Sequence, residues 1–479
     1  MAETERARLR LAVVGHTNTG KTSLLRTLTR DPDFGEVRDS PGTTRHVQGA
    51  RLLVEGQPAV ELFDTPGMED GMALLDYLDQ LAQHAGTRLD GPERIRRFLD
   101  TPESRRRFEQ EARVLKQLLD CDAGLYVVDA RDPVLAKHRD ELAILAACGK
   151  PLLPVLNFMR SPQQRGAAWR EALARLGLHA SVEFDSVAPA LDGEAQLYDK
   201  LALLLDGYAG LLRTLKEDIA VQRERRRQDA LALIAELLVD AAAWHLAAAA
   251  DEESVEKATA ALRDKLRRRE NRCVKALLKL YRFRAADFPQ HALPLEGERW
   301  GMDLFHPQAL KSMGVHVGKG VAAGAMAGAT IDAFTAGMSL GAAALAGAAI
   351  GGLWQGADRL GKRLLGRVRG YRELGADDAV LRLLGLRQLD LLAALERRGH
   401  AAQDGIELPR DAGSMWAAAQ ADAADGGAAA ALRKGRLPEE LVLARSQPQW
   451  SSLSDDYENT PERRRAIGTL ARRLGGDPP

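Results

Sequence analysis

The most constraining feature of the sequence is a glycine-containing segment at residues 15–22, which reads G-H-T-N-T-G-K-T. The mostly apolar run Leu9–Val14 comes directly before it, and a stretch with helical spacing, Lys21–Thr29, follows. A strand, a loop of the form G-x-x-x-x-G-K-[ST] and a helix, in this order, are typical of a phosphate-binding loop. Glycine permits the backbone angles that such a loop needs, while backbone N–H groups and the positive end of the helix attract an anion.

The side chains of this segment have roles that their chemistry suggests. Lys21 brings a positive charge to the β- and γ-phosphates of a nucleotide, and the hydroxyl of Thr22 can bind Mg²⁺. A chance match in an ordinary turn is the alternative, and the flanking strand and helix argue against it. We predict that the nucleotide contacts the whole loop and the start of the helix, namely Gly15, His16, Thr17, Asn18, Thr19, Gly20, Lys21, Thr22 and Ser23.

Two further motifs follow in the chain. The sequence D-T-P-G at residues 64–67 comes after a strand-like run, so Asp64 can hold Mg²⁺ and Gly67 can present its N–H to a γ-phosphate. The segment S-P-G-T-T-R at residues 40–45 predicts a loop in which Thr44 joins the Mg²⁺ only when a γ-phosphate is present. Each motif alone is a weak signal, because D-T-P-G is a common turn. Their spacing together predicts a nucleotide-dependent switch.

Strand-like and helical stretches alternate through the first two hundred residues. This alternation predicts an α/β fold with a doubly wound, mainly parallel sheet, whose ligands bind beyond the carboxyl ends of the strands. We therefore assign residues 1–210 to one P-loop domain. A charge-rich surplus at about 83–113 predicts a helical insert, which is either a solvated surface or a segment that carries the nucleotide state elsewhere. The predicted strands are residues 9–14, 51–54, 60–63, 124–128, 152–156 and 181–184.

The three motifs together resemble the small GTPases of the TrmE–Era group, which have an asparagine in the phosphate loop, a P-G-T-T-R switch and D-T-P-G. The resemblance covers roughly residues 8–210. It implies GTP and GDP as ligands, Mg²⁺ bound by Thr22, Thr44 and Asp64, and GTP hydrolysis that depends on Lys21, Thr44 and Gly67. It places Met68 where Ras-type enzymes have a catalytic glutamine. It also implies that Asn18 helps to hold a K⁺ ion against the phosphates.

The segment expected to read the base departs from this family. GTPases of the group have N-K-x-D after the fifth strand, whereas this chain has Asn157-Phe158-Met159-Arg160. Asn157 can still contact the base, and Phe158 either stacks on the base or belongs to the core. Arg160 offers a hydrogen-bond donor where guanine needs an acceptor. We predict GTP as the ligand, and a switch with relaxed base specificity or one that uses ATP is the alternative.

Composition limits the setting of the protein. The 67 basic and 67 acidic residues balance, so the net charge identifies no partner. The cysteines Cys121, Cys148 and Cys273 lie far apart, which fits a reducing compartment and gives no metal-binding spacing. The charged start of the sequence predicts no secretory signal. We expect a bacterial cytoplasmic protein, either free or associated with the inner membrane.

From about residue 211 the chain is predicted to be mostly α-helical, and we assign residues 211–398 to a second domain. Helices are expected at about 201–212 and 218–250, and a further one is expected to run from a break at 251–254 to about Tyr281. This last helix ends in a run of basic residues. The run is either a solvated helix face or a patch for anionic lipid or nucleic acid.

A glycine-rich segment at residues 317–354 predicts a helical hairpin. Gly320, Gly324 and Gly328 recur every fourth residue, a spacing that lets helices approach closely. Glycine forms helices poorly in water, so such a helix needs packing or lipid. Asp332 interrupts the segment, and basic residues flank it on both sides. Two interpretations stay open, a hairpin associated with an anionic membrane and a soluble glycine zipper that builds a homo-oligomer or packs within the domain.

The remaining sequence adds no recognisable chemistry. Residues 399–432 are rich in alanine, aspartate and glycine and are predicted to be a linker. Residues 433–479 predict a C-terminal helical segment that Trp450 anchors to a neighbour. The region beyond the P-loop domain resembles a helical C-terminal domain of unknown function that occurs in bacterial GTPases. That resemblance implies no activity.

These features favour a slow GTPase that acts as a molecular switch. A nucleotide-bound scaffold or membrane anchor without catalysis is the alternative, and it would suit the glycine-rich hairpin. A further alternative is an RNA-associated assembly factor, which the Era-like switch and the basic helix suggest. No RNA-binding module or aromatic platform is recognisable in the sequence, so we do not expect nucleic acid as a partner.

Overall fold

The computed structural model of the chain describes residues 8–31, 34, 47–54, 56–84, 89–283, 331–333, 371–400, 402, 432 and 437–476. The chain divides into two compact units. Unit 1 contains Met1–Glu224 and two short later segments, Arg282–Asp287 and Glu396–Asp404. Unit 2 contains Arg225–Tyr281, Phe288–Leu395 and Gly405–Pro479. All the predicted nucleotide motifs belong to unit 1.

Unit 1 is built on a six-stranded sheet with the order β2-β3-β1-β4-β5-β6. Neighbouring strands are parallel except for the antiparallel pair β2–β3. The predicted α/β fold with a doubly wound, mainly parallel sheet is therefore confirmed. Each predicted strand is present, although the last is only two residues long. The strands are β1 (Leu9–Val14), β2 (Gln48–Val54), β3 (Gln57–Asp64), β4 (Ala123–Asp129), β5 (Leu152–Asn157) and β6 (Val182–Glu183).

Helices cover both faces of this sheet. Successive side chains of a strand point to opposite faces, so each strand contributes to a core on either side. In β1, Leu11 and Val13 belong to one buried cluster, whereas Ala12 and Val14 belong to another. The first cluster includes side chains of α1 and α7, and the second includes side chains of α2 to α6. The helices are α1 (Lys21–Thr29), α2 (Gly71–Gln83), α3 (Gly91–Leu99), α4 (Glu109–Leu119), α5 (Ala136–Ala146), α6 (Gly166–Arg175) and α7 (Gly193–Leu204).

The predicted helical insert lies between α2 and the middle of α4. Helix α3 begins at Gly91, and Asp90 caps its first turn. A 3₁₀ turn at Pro102–Arg105 follows, and α4 begins at Glu109. The insert is packed onto the sheet domain and is not merely a solvated surface. Its fully buried apolar side chains are Ile95, Phe98 and Phe108.

Unit 2 and the connection into it are largely helical, as predicted. A small antiparallel sheet with the order β7-β9-β8 accompanies the helices. The strands are β7 (His245–Ala249), β8 (Ile331–Ala333) and β9 (Tyr371–Ala376). The helices are α8 (Ala209–Ala243), α9 (Glu252–Leu280), α10 (Asp378–Arg397), α11 (Glu439–Arg445) and α12 (Pro461–Gly475).

Two helices predicted in this region differ from the structure. The helix predicted over 218–250 ends at Ala243, because residues 245–249 pair with β9. Alanine favours a helix, but pairing with a distant strand overrides that local preference. The helix predicted over 201–212 is split, since α7 ends at Leu204 and α8 begins at Ala209.

Most of the glycine-rich hairpin predicted at 317–354 lies outside the described residues. Its one described part, Ile331–Ala333, is a strand rather than a helix and pairs with β9. The linker predicted at 399–432 also lies outside the description, apart from residues 399, 400, 402 and 432. Among the described residues, no helix combines the length and the apolar character needed to cross a membrane.

A buried ion cluster ties the C-terminal segment to the long helices of unit 2. Asp240 on α8 is fully buried and accepts hydrogen bonds from Arg269 at 2.7 Å and from Arg463 at 2.8 Å. It also accepts bonds from the backbone N–H and the hydroxyl of Ser452, at 3.0 and 2.6 Å. A buried charge is costly unless it is paired and hydrogen-bonded. Removal of one charged partner would therefore leave the others buried and unpaired, and would destabilise this unit.

Candidate functional site

The phosphate loop joins the end of β1 to the start of α1. Gly15 has a φ of 139° and Gly20 a φ of 89°, angles that residues with a side chain rarely adopt. A Cβ at Gly15 would also lie 2.5 Å from the carbonyl oxygen of Val127 on β4. Asn18 has a φ of 63°, a left-handed conformation that asparagine tolerates better than most residues. The shape of the loop therefore requires both glycines.

Lys21 turns its side chain back into this loop. Its Nζ donates hydrogen bonds to the carbonyl oxygens of Gly15, at 3.0 Å, and His16, at 2.7 Å. Burial lowers the pKa of Lys21 from 10.5 to about 8, and the carboxylates of Asp64 and Glu141 oppose that change. At neutral pH the ammonium group is charged and lies where the loop would hold an anion.

Thr22 and Asp64 form a buried pair beside Lys21. The Thr22 hydroxyl donates to Oδ2 of Asp64 at 2.5 Å, and Oδ1 of Asp64 has no hydrogen-bond partner among the described residues. Burial raises the pKa of Asp64 from 3.8 to about 6, although the bond from Thr22 and the charge of Lys21 lower it. Such an orphaned carboxylate oxygen is costly, and oxygen ligands are those that Mg²⁺ prefers. The pair therefore fits Mg²⁺.

The D-T-P-G motif brings Gly67 against the phosphate loop. A Cβ at Gly67 would lie 2.7 Å from both the Cα and the backbone nitrogen of Thr17, so only glycine fits there. Oγ1 of Thr17 is buried and makes no hydrogen bond within the described part of the chain. The next residue, Met68, is fully buried, and its N–H approaches the carbonyl oxygen of Gly15 at 3.4 Å. The two motifs are thus in direct contact.

The side chain of His16 is held by α5, the helix that follows β4. Its Nδ1 lies 2.5 Å from Oε1 of Glu141, and its Nε2 lies 2.8 Å from Nζ of Lys137. A lysine ammonium can only donate, so this geometry implies a ring with its proton on Nδ1. Glu141 is buried and also accepts a bond from the hydroxyl of Tyr126 at 3.3 Å. His16 can therefore contact a phosphate through its backbone N–H while its side chain faces α5.

Asn157, at the end of β5, joins three loops. Its Nδ2 donates to the carbonyl oxygen of Thr19 at 3.1 Å, and its Oδ1 accepts from the N–H groups of Phe158 and Ser186, each at 2.9 Å. The residue is 1% exposed. These bonds fix the phosphate loop relative to the loop after β6. Direct contact between Asn157 and a base stays a prediction.

The residues after Asn157 have an unusual backbone conformation and unusual side-chain contacts. Phe158 has a φ of 59°, and the guanidinium of Arg131 lies 4.0 Å above its ring. At the position where N-K-x-D has its aspartate, Arg160 donates its backbone N–H to Oδ2 of Asp185 at 3.2 Å. The carboxylate of Asp185 thus lies close to Arg160, although Asp185 belongs to the loop after β6.

The structure brings most of the predicted site together at the carboxyl edge of the sheet. The residues that converge there are Lys21, Thr22, Asp64 and Gly67. Two further residues of the predicted set, Thr19 and Ser23, lie within the loop and the helix that follows it. Thr19 donates to the carbonyl oxygen of His16 at 3.0 Å, and Ser23 is buried in α1. Thr44 lies outside the described residues, so its roles as Mg²⁺ ligand and in hydrolysis stay predictions.

Two buried glutamates next to the site were not predicted from the sequence. Glu141 on α5 contacts the phosphate loop, and Glu111 on α4 contacts the segment after Gly67. The sequence does contain a signal for them. Each occupies the apolar face of its helix, at i, i+3 and i+4 spacing from buried aliphatic residues. A glutamate in such a position is rarely buried without a polar partner.

Comparison with known proteins gives two family matches. Residues 10–158 match the model of a family described as 50S ribosome-binding GTPase. Residues 170–472 match the model of a domain of unknown function, DUF3482. The first match contains the phosphate loop and the D-T-P-G motif, and the second covers more than half of the chain.

The chain is similar to curated proteins only over part of their length. It is 46% identical over 65 residues to the tRNA modification GTPase MnmE of a Picosynechococcus species, which is 14% of each chain. It is 33% identical over 140 residues to MnmE of a Synechococcus species, which is 29% of this chain and 25% of that relative. The chain therefore matches no more than 25% of the length of these two relatives.

Comparison with solved structures gives partial matches of low TM-score. Era of Aquifex aeolicus bound to GDP.AlF4- matches with a TM-score of 0.30 and 16% identity, over 41% of this chain and 56% of that chain. The G domain of the FeoB iron transporter of T. maritima matches with a TM-score of 0.25 and 19% identity, over 41% of this chain and 99% of that one. The family matches alone identify a GTPase-family domain at residues 10–158, and the protein belongs to the DUF3482 family, whose model covers more than half of the chain.

Proposed function

We propose that the protein binds GTP and GDP with Mg²⁺ at the phosphate loop and acts as a slow GTPase switch. The observation that carries this proposal is the convergence of Lys21, Thr22 and Asp64, with one Asp64 oxygen that has no partner among the described residues. A positive charge, a hydroxyl and a carboxylate beside a loop of backbone N–H groups suit terminal phosphates and Mg²⁺. The GTPase family match over residues 10–158 supports the proposal.

The proposed site residues have separate roles in hydrolysis. Thr22, Asp64 and Thr44 would hold the Mg²⁺, which neutralises negative charge on the β- and γ-phosphates when it is bound. Lys21 adds a second positive charge, and the N–H of Gly67 donates to the γ-phosphate. Water attacks the γ-phosphorus in line with the leaving oxygen, so rate depends on positioning and charge.

We propose slow turnover because no polar side chain replaces the glutamine of Ras-type enzymes. Met68 occupies that position and is fully buried and apolar. The exposed Asn18 would help to hold a K⁺ ion, whose charge would partly replace an arginine finger. The K⁺ ion would make the intrinsic rate depend on the ionic conditions.

We propose guanine as the base, with reduced selectivity. The family match favours GTP, whereas Arg160 stands where the usual carboxylate would accept both guanine N–H donors. Competition of GTP, GDP, ATP and XTP for the full chain, with Mg²⁺ and a fluorescent GDP probe, tests this assignment. We expect GTP and GDP to displace the probe at lower concentration than ATP does. Displacement by ATP at equal or lower concentration would contradict a guanine-specific site.

A non-catalytic scaffold is the main alternative, and single-turnover release of phosphate separates it from a GTPase.

Association of residues 317–354 with an anionic membrane or a second copy of the chain remains part of the proposal, as does a cytoplasmic or inner-membrane location. The domain division at about residue 210 is also retained as a proposal. Repeating the competition with anionic liposomes tests the membrane role, because a membrane-coupled switch would change its nucleotide affinity.

An RNA-associated role is a second candidate that the family description favours. The matching family is described as ribosome-binding, and Era has been solved with nucleotides 1506–1542 of 16S ribosomal RNA. Helix α9 offers a face that suits phosphates. Sedimentation with ribosomal subunits at low and high salt tests this role, and no salt-dependent association would remove it. The exposed basic residues of that face are Lys265, Arg268, Arg272, Lys275 and Lys279.

A further inference from the structure

A buried carboxylate of the helical insert binds the segment that directly follows Gly67. Glu111 on α4 is 4% exposed, and its Oε1 accepts the backbone N–H groups of Glu69 and Asp70, each at 3.1 Å. The side chains of Glu69 and Asp70 are themselves exposed. The contact is therefore made to the main chain and does not depend on those two side chains.

Burial of the Glu111 carboxylate would be unfavourable without these hydrogen bonds. The residue lies on the face of α4 that buries Val114, Leu115 and Leu118, where an apolar side chain would pack without penalty. A buried carboxylate is tolerated when it accepts hydrogen bonds, and bonds from N–H groups to an ionised acceptor are stronger than neutral ones. Among the described residues, the carboxylate of Glu111 thus serves to hold the main chain of residues 69–70.

The insert that carries Glu111 is firmly anchored. Rings of Tyr77, Phe98 and Phe108 form a cluster with centroid separations of 5.8 to 6.1 Å, which joins α2, α3 and the start of α4. Phe98 and Phe108 are fully buried. Glu111 therefore projects from a fixed base, and not from a loop that could follow the segment as it moves.

The held segment lies immediately beyond the part that would sense a γ-phosphate. On its other side, the backbone N–H of Met68 makes a long bond of 3.4 Å to the carbonyl oxygen of Gly15, within an isolated β-bridge between His16 and Met68. The charge-assisted pair at residues 69–70 is shorter and is the stronger anchor. If Gly67 moves toward a phosphate, only the backbone between Asp64 and Glu69 is therefore expected to move with it.

We infer that Glu111 is a positioning residue for GTP hydrolysis, which fixes the main chain after Gly67 so that the Gly67 N–H can reach a γ-phosphate. This inference rests on the proposed function. GDP has no γ-phosphate, so Glu111 affects the GTP-bound state and its turnover and leaves GDP binding unchanged. The insert is then a part of the switch, and a partner that moved α4 would alter the hydrolysis rate.

The test compares three variants of the full chain. Glu111→Met removes the acceptor and keeps an apolar side chain on the apolar face of α4, so the fold should persist. Glu111→Gln retains an oxygen that can accept both N–H groups. Glu109→Ala is the matched control, because Glu109 is an exposed glutamate on the same helix and its carboxylate pairs with Arg113. Each is measured for GDP affinity, GTP affinity and single-turnover hydrolysis.

We expect Glu111→Met to slow single-turnover hydrolysis by about tenfold or more, because misplaced groups lose rate steeply. Its GDP affinity should stay within about twofold of the wild type, and Glu111→Gln should recover most of the rate. Hydrogen exchange of the amides of Glu69 and Asp70 should be faster in Glu111→Met and close to wild type in Glu109→Ala. This exchange reports the contact without requiring nucleotide.

Three results would overturn the inference. Hydrolysis by Glu111→Met at the wild-type rate would show that the contact does not position the segment. Equal losses of GDP and GTP affinity without recovery in Glu111→Gln would show a structural role only. Unchanged exchange at residues 69–70 would show that the carboxylate does not hold them. If the wild-type protein binds no GTP, the proposed function itself is wrong. If the wild type binds and hydrolyses GTP but one of the three results above is found, only the inference about Glu111 is wrong.

Discussion

Replacing Asp64 with asparagine should have opposite effects on the nucleotide-free protein and on the protein with Mg·GTP. Without nucleotide, Asp64 is a fully buried carboxylate whose Oδ1 has no hydrogen-bond partner among the described residues. Asparagine has nearly the same shape and no charge, and its amide oxygen can accept the hydrogen bond from Thr22. Asp64→Asn should therefore stabilise the empty protein and weaken its response to Mg²⁺.

The pKa of Asp64 sets the size of the stabilisation. A rise from 3.8 to about 6 corresponds to about 3 kcal/mol, at about 1.4 kcal/mol per pKa unit. Because the folded pKa is the higher one, the contribution of Asp64 to stability is full below pH 3.8 and is lost as the pH rises through about 6. The advantage of Asp64→Asn should therefore be small near pH 4 and reach about 3 kcal/mol at pH 7.

Urea unfolding of the nucleotide-free chain at several pH values measures this difference. The same proteins with Mg·GTP should show the reverse order, because the variant loses a Mg²⁺ ligand and so gains less from the nucleotide. Asp129→Asn is the control, since Asp129 ends strand β4 of the same sheet and its carboxylate pairs with Arg131. Equal or lower stability of Asp64→Asn at pH 7 without nucleotide, or an undiminished response to Mg²⁺, would refute the reasoning.

Three other changes test separate parts of the structure. Gly67→Ala should lower GTP affinity more than GDP affinity in equilibrium titrations, because its Cβ would lie 2.7 Å from the backbone of Thr17; a ratio of GTP to GDP affinity equal to that of the wild type would contradict this prediction. Asp240→Ala should lower the free energy of unfolding of unit 2 by about 3–5 kcal/mol, because Arg269 and Arg463 lose their buried partner; a loss below about 1 kcal/mol would show that the cluster is not buried as described. Hydrolysis should be faster in K⁺ than in Na⁺ if Asn18 helps to hold the cation, and equal rates in phosphate-release assays would remove that role.

The sequence predicted those parts of the protein whose local pattern and final environment agree. The strands of unit 1 are short apolar runs that end at polar or glycine-containing loops, and β1 and α1 begin and end at the predicted residues. The phosphate loop was predictable for the same reason. Gly15 and Gly20 adopt angles that other residues resist, so the motif marks a shape as well as a chemistry.

Features that depend on distant contacts could not be predicted in this way. Residues His245–Ala249 have a composition that favours a helix, yet they form a strand because β9 offers a partner. The same holds for the site. Nothing next to Glu111 or Glu141 in the sequence shows that each accepts hydrogen bonds from a loop far away in the chain. Their only local signal is a charge on an apolar helix face.

Calorimetric titration of Mg·GTP into the full chain and into Lys21→Ala tests the central claim most directly, namely that the loop at residues 15–22 binds the phosphates of a nucleotide. Lys21 places its ammonium inside the loop, so its removal should weaken binding by about a hundredfold or more, equivalent to about 3 kcal/mol. Lys137→Ala is the control, because Lys137 contacts His16 from α5 and should matter much less. Tight binding by the wild type with loss in Lys21→Ala is the predicted result. Equal affinities of the wild type and Lys21→Ala, or no binding by the wild type, would contradict the claim.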